Sequence, residues 1–517
     1  MPYKVLRYSI ENLKKCFIEQ ATAHEEVVSS KQHLACFENY FSHIGVKTII
    51  VEKDYVNREF LEDYSSYYVR SFKDYKRHCV RLHFFKIEIS EEDFSLILEG
   101  TPKGICAKNL QENYQGFMVL KPLPITIIGK TCISTYEEDN KRHFPTIRKY
   151  HANLYGINLS VESLAYQEQD SIVAACASSS IWSAFHRTAI LFQHSLPSPV
   201  EITKWATRHF PFANRHFPNK GLSAEQMAIA IREIGLEPLL SGVNTYDTLK
   251  ATVYAYIRGK IPIVFGFDLW DVNNNSSTTP ARNFGAHAIT ITGFNETNII
   301  SNKFETVDNL TLRSSRIDKF YTHDDQMGPF SKIEFNDFEV WNHNKGSIKC
   351  LDMTWKDING NKGNIKAGPQ IIIIPLYHKI RIPFTSVLTS INFFNNLFIP
   401  LIGRIPNFQL FEWDIFLSDI SDFKSDILND SKLESKRKKE ILLTKLPKFI
   451  WRAIGRIKNE NCLEFVFDAT DIDQGSFFIL TVNYNTNVYL QYNLLLKKYD
   501  SKNMEDFSAK SMIESLQ

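Results

Sequence analysis

The chain has 517 residues, too many for a single hydrophobic core, so two to four domains are expected. Its 44% hydrophobic and 23% charged content is ordinary for a soluble globular protein. Sixty basic residues stand against 58 acidic ones, a net charge of +2, which argues against nucleic-acid binding and against a polybasic membrane anchor.

The opening stretch, MPYKVLRYSIENLKKC, holds no long apolar run, so no secretory signal is expected. Residues 1–150 read as an α/β domain of unknown function. A helical pattern covers roughly 10–45, and the apolar run VKTIIVE, 46–52, predicts a strand. Phe60, Tyr64, Tyr67, Tyr68 and Phe72 recur near helical spacing, which predicts core packing. GFMVLKPLPITIIGKTCI, 116–133, predicts two strands separated by a proline pair.

Residues 151–378 carry the strongest local signals. QDSIVAACASSSIWSAF, 169–185, runs from a loop into a helix that begins at Cys176. Ile181, Ala184, Phe185, Ala189 and Phe192 lie on one face of it. GLSAEQMAIAIREIGLEP, 221–238, predicts a helix with a capping box at Ser223 and Gln226 and a stop at Gly235 and Pro238. YDTLKATVYAYIRGKIPIVFGF predicts a helix, a turn and a buried strand. The polar run 271–283 predicts a mobile loop that borders a cleft. FGAHAITITGF, 284–294, predicts a strand, and RIDKFYTHDDQMGPF, 316–330, a strand running into a Gly-Pro turn.

Residues 379–517 read as a third, α/β domain of unknown function. The longest uncharged run, Ile382 to Gly403, contains three Asn and two Pro and is a poor spanning helix. The charge-dense run 421–440 predicts a solvated helix or linker, and CLEFVFDATD and SFFILTVNYNT predict strands. The eight cysteines form no CxxC pair and match neither a disulfide framework nor a zinc motif. A reducing, cytoplasmic setting without cofactor or metal is therefore expected.

Cys176 is the residue where chemistry is expected. A thiol reacts as its thiolate and has a pKa of about 8.5 when free, so a nucleophilic cysteine needs help to ionise. A helix start supplies free N–H groups and the positive end of a dipole, and an adjacent imidazole supplies an ion-pair partner. His287 sits in a strand behind two small residues, Gly285 and Ala286, which leave room for another group to approach. The next strand ends in His323-Asp324-Asp325, and a carboxylate there can accept the far ring N–H of His287.

The order of these stretches resembles the papain-like cysteine peptidases, in particular the bacteriocin-processing (double-glycine) branch, over about residues 160–330. The resemblance implies an α+β fold, in which a helix opened by the nucleophile packs on an antiparallel sheet. It implies that Cys176 is the nucleophile, His287 the base and Asp324 the group orienting the base, with Asp325 the alternate. Gln169 corresponds to the oxyanion-hole glutamine, although the family position falls on Asp170. Gln169 therefore needs a one-residue bulge. Alanine rather than glycine follows the cysteine, and 37 residues separate His287 from Asp324, which implies an inserted hairpin near 295–315.

The domains expected are 1–150, 151–378 and 379–517, with the papain-like core in the middle and a peptide or protein as substrate. The flanking domains are candidate contact regions for a protein partner. Two other readings share the pattern: a non-catalytic papain-like scaffold that binds a protein, and a thioester-forming acyltransferase of transglutaminase type.

Overall fold

Alternating apolar residues and well-placed turns build several antiparallel sheets, and the helices between them make the protein mixed α+β. The structure is a computed structural model. It describes residues 1–20, 25–137, 139–170, 172–173, 175–208, 221–243, 245–272, 281–298, 310–336, 338–342, 346–353, 355, 364–405, 408–472, 475–497, 499, 501 and 504–517. Two compact units are present, Met1–Gly242 with Pro262–Asn295 and Asp318–Pro375, and Val243–Ile261 with Glu296–Ile317 and Leu376–Gln517. This packing does not follow the boundaries drawn from sequence: 1–150 shares a unit with most of 151–378, and two short excursions of the middle segment join the C-terminal one.

In the first unit, Tyr3–Arg7, Thr48–Tyr55, Cys79–Phe85, Tyr114–Leu120 and Ile128–Ile133 form a five-stranded antiparallel sheet in chain order. Ile49, Leu82, Phe84, Met118 and Leu120 meet Leu13 and Phe17 of helix Ile10–Gln20 and Phe37 and Phe41 of helix Gln32–His43. Of the aromatics at 60–72, Phe60 and Tyr68 are core and Tyr64 and Tyr67 pack against it. Phe72 departs from expectation and is fully exposed, because the helix ends at Ser66 and a short 3-10 turn closes at Arg70.

The second sheet of this unit holds strands Ile263–Asp271, Arg282–Glu296, Ile317–Asp324, Gly328–Glu334, Leu351–Met353 and Ile365–Tyr377 as successive neighbours. Ile263–Asp271 pairs antiparallel with both Arg282–Glu296 and Ile365–Tyr377, which closes these six strands into a ring. The turn after Asp324 is Asp325–Met327, and Gly328 and Pro329 open the next strand instead of forming the turn. Most of the loop expected at 271–283, residues 273–280, lies outside the described residues, as do residues 299–309 of the hairpin expected near 295–315.

Helix Cys176–Phe192 begins at Cys176 as expected but is enclosed on more than one face. Besides Ile181, Ala184 and Phe185, it buries Ser178, Ser179, Ser180 and Ser183. Serines suit such a place because a small hydroxyl can bond a nearby oxygen: Ser178 Oγ and Thr203 Oγ1 are 2.8 Å apart. Helix Ala224–Glu233 shows the capping box at Ser223 and Gln226.

The second unit is built on a sheet of Thr311–Leu312, Glu412–Asp419, Phe449–Ile457, Glu460–Asp468 and Phe478–Asn483, with only the first pair parallel. The charged run 421–440 falls in helices Ile420–Asn429 and Ser435–Leu443, which bury Phe423, Ile427 and Ile441 under a polar outer face. No helix among the described residues is long and apolar enough to cross a membrane.

Candidate active site

The site grows from three backbone elements of the first unit. Cys176 is the first residue of its helix, after Ala175 in an extended conformation (φ −94°, ψ 176°) that offers no capping side chain. The leading N–H groups of that turn are therefore not satisfied by a cap, and no acidic residue stands in the first turn to offset the helix dipole. Ser180, one turn on, ties this helix start to the neighbouring strand. Its Oγ lies 2.9 Å from both the Cys176 and the Ala288 carbonyls, and the Ser180 carbonyl accepts from Thr290 Oγ1 at 2.8 Å. These bonds set Cys176 in register with strand Arg282–Glu296, which carries His287.

His287 is buried, between the ring of Phe267 at 5.5 Å and that of Trp355 at 5.2 Å, both edge-on. Its Nε2 donates to Asp324 Oδ1 at 3.0 Å, and the Cys176 side chain is near enough to the ring to help raise its pKa. With Nε2 taken by Asp324, Nδ1 is the ring nitrogen that remains for another partner. Residues 282–286, immediately before His287, are exposed, and among the described residues a side chain at Gly285 would meet nothing within 4 Å.

Asp324 ends its strand and divides its two oxygens. Oδ1 faces His287 and accepts from the Gln326 backbone N–H at 3.1 Å, while Oδ2 accepts from Trp355 Nε1 at 2.6 Å. Burial works against charge on both His287 and Asp324, but each stabilises the other's ionised form. The imidazole is held well above its ordinary value, by Asp324 first and then by Asp325 and Cys176, and the Asp324 carboxyl is held below its own.

Asp325 is the second carboxylate, with Oδ1 3.6 Å from the same Nε2. It is 3% exposed, and neither oxygen has a hydrogen-bond partner among the described residues. Burial foremost, opposed by His287 and reinforced by Asp324, pushes its carboxyl up to about 7. Among the described residues, His287, Asp324 and Asp325 also form a group suited to a metal ion, with one ligand atom from each inside 4.8 Å.

The N-terminal region, to which sequence assigned no chemistry, supports this corner. His33 Nε2 is 2.9 Å from the Asp325 carbonyl and 2.9 Å from Tyr166 Oη. Lys31 pairs with Glu168, whose other oxygen accepts from the Ile128 N–H at 3.0 Å. Gly328 takes φ +147°, and a Cβ there would lie 2.9 Å from Cys36 Sγ, so glycine lets helix Gln32–His43 approach the turn.

Cys176, His287, Asp324 and Asp325 are thus brought together. Asp170 is committed elsewhere: it accepts from Tyr68 Oη at 2.6 Å and from the N–H groups of Ile172 and Val173 at 3.0 and 3.4 Å. A carboxylate used in this way shapes the loop before Cys176 and offers no oxyanion a proton. Gln169 is half-buried beside it. Sequence reasoning missed Trp355 and Ser180. Trp355 left no signal, being 31 residues beyond Asp324 in a polar stretch, whereas Ser180 was legible only as one of three serines.

Burial, the leading cause in each, pushes Cys16, Cys36, Cys79, Cys132 and Cys350 up to about 12, and none of the eight cysteines is in a disulfide. No protein-family model matches the chain, and comparison with curated proteins gives no match.

Proposed function

We propose that the protein is a papain-like cysteine peptidase, hydrolysing a peptide or amide bond through a thioester on Cys176. The observation that carries this reading is the bond from the His287 ring to Asp324, on two sheet strands, with Cys176 beside the ring at the start of its helix. A carboxylate beside the buried imidazole favours the charged form that the ring takes on when it receives the thiol proton.

In the proposed cycle His287 takes the Cys176 proton and the sulfur attacks the substrate carbonyl carbon. The carbonyl oxygen becomes an oxyanion facing the N–H of Cys176, with the Gln169 side-chain amide as second donor. The C–N bond then breaks as His287 passes its proton to the leaving amine, which leaves an S-acyl enzyme. Water, giving a proton to His287, attacks the thioester and frees the acid and the thiol. Free thiols throughout the chain suit a reducing compartment.

The test is competitive labelling of the full chain by a peptidyl acyloxymethyl ketone, read by mass spectrometry at all eight cysteines. Selective modification of Cys176, lost in His287→Ala, is expected. Labelling of Cys176 no faster than that of the part-buried Cys36 and Cys106 would overturn the reading and favour a scaffold that binds a protein without cleaving it. Amine incorporation into an acyl donor without net hydrolysis would move the assignment to acyl transfer.

A further inference from the structure

Asp325 poses a problem of charge. Glu168, which also faces Asp325, is balanced by Lys31. The other two buried carboxylates at this site, Asp324 and Asp325, share a single imidazole, which among the described residues leaves one negative charge in excess even when His287 is protonated. A carboxylate buried without hydrogen bonds must be compensated by a proton or a cation.

We propose that His287 Nε2, Asp324 Oδ1 and Asp325 Oδ1 form a binding site for a first-row divalent cation of the Zn2+ or Mn2+ class, and that the bound ion holds the enzyme in an off state. The Asp325 carboxylate, which has no hydrogen-bond partner among the described residues and lies 3.6 Å from Nε2, supplies the indication beyond the clustering itself. Spacing agrees: the nitrogen lies 3.0 and 3.6 Å from the two oxygens, and a tetrahedral ion with bonds of about 2.0 Å sets its ligands about 3.3 Å apart. Charge agrees as well, since two carboxylates and a neutral imidazole cancel a dication. The donor set excludes Ca2+ and Mg2+, which take six or more oxygens or keep most of their water. Trp355 Nε1 on the outer oxygen of Asp324 would orient that ligand.

The consequence rests on the proposed peptidase reading. An ion on Nε2 displaces its proton, and an imidazole beside a dication resists the second positive charge it must carry after taking the thiol proton on Nδ1. Metal-bound His287 therefore cannot serve as base, and release of the ion restores it.

Chelator-treated full chain is titrated with Zn2+ alone by calorimetry and with Co2+ alone by absorbance. One equivalent should bind, with visible Co2+ bands and no sulfur-to-cobalt charge transfer. Cys176→Ser should keep that binding. Asp325→Asn should weaken it by more than the roughly 10–100-fold that follows loss of an outer-shell partner. Labelling of wild-type Cys176 by the electrophile should slow as Zn2+ saturates. The proposal is overturned by the absence of stoichiometric binding, by unchanged affinity in Asp325→Asn, by loss of binding in Cys176→Ser, or by labelling that Zn2+ leaves unchanged. Should Asp325→Asn fail to fold, a charge-transfer band in wild-type protein would place the ion on the sulfur and overturn it equally. A Cys176 that never labels, with or without Zn2+, sinks the peptidase reading and leaves the metal titration to be judged by itself.

Discussion

Trp355 Nε1 donates to Asp324 Oδ2 at 2.6 Å, on the oxygen opposite the one that faces His287. The indole also packs edge-on against the imidazole, so one side chain both orients the carboxylate and covers its bond to the ring. Trp355→Phe keeps the aromatic contact and deletes the N–H. A hydrogen bond to a charged group contributes about 1.5–3 kcal/mol, so if this bond acts in the transition state kcat/KM should fall roughly 10–100-fold. An unchanged kcat/KM in a folded Trp355→Phe chain would reduce Trp355 to packing.

Cys176→Ser nearly conserves volume at a helix start that is only half-buried, so the Tm should move little. Turnover should fall by roughly a thousandfold or more, because the imidazole activates a hydroxyl poorly. His287→Ala should lose as much activity, with a larger stability loss because the ring is buried. The double variant should be no worse than either single one, as expected of groups acting together. Melting curves and turnover on the same preparations separate these effects, and retained turnover in folded Cys176→Ser would remove Cys176 as nucleophile.

Asp63 is buried, its Oδ1 has no hydrogen-bond partner among the described residues, and its pKa is raised well above the ordinary 3.8 by burial first and then by the charge of Asp170. A carboxyl raised on folding favours the folded state while it stays protonated, and that advantage is lost as pH rises through the folded value. Asp63→Asn should therefore stabilise the chain at neutral and alkaline pH, by roughly 1–3 kcal/mol, the usual cost of a buried polar group left unpaired. The gain should vanish as pH falls below the ordinary carboxylate value. Denaturant midpoints across pH give the sign directly, and a gain that grows toward acid would contradict the assignment.

Within the second unit, Arg452 is buried over Phe416 and Phe423, and it pairs through Nε with Glu464 Oε1 at 2.5 Å and through Nη1 with Asp426 at 2.6 Å. Tyr484 Oη adds a bond to Glu464 at 2.6 Å. Arg452→Met strands a fully buried Glu464 charge and should cost about 3–5 kcal/mol. Glu464→Leu in the same chain should recover much of the loss, since a well-packed apolar pair replaces an ion pair. Hydrogen exchange along Phe449–Ile457 should report both changes, and equal instability of the single and double variants would count against a stranded charge.

Much of this site is local in origin and could be read along the chain. Small residues before an amphipathic run mark the helix that Cys176 opens, Ser223 and Gln226 mark the start of helix Ala224–Glu233, and Gly285-Ala286 mark an exposed, small-residue stretch ahead of His287. Each depends on residues within a few positions of one another, where propensity and spacing act directly. The division of labour between Asp324 and Asp325 is different in kind. The two are adjacent acids, and only the strand end and the turn after it put one 3.0 Å and the other 3.6 Å from Nε2. Trp355, Ser180 and His33 likewise reach the site through tertiary contacts, across 31, 108 and 292 residues. Sequence alone therefore determined which backbone elements offer a thiol, an imidazole and a carboxylate. Tertiary packing decided which carboxylate is satisfied and which has no hydrogen-bond partner among the described residues, because hydrogen bonding and burial between distant segments leave no periodic trace in the chain.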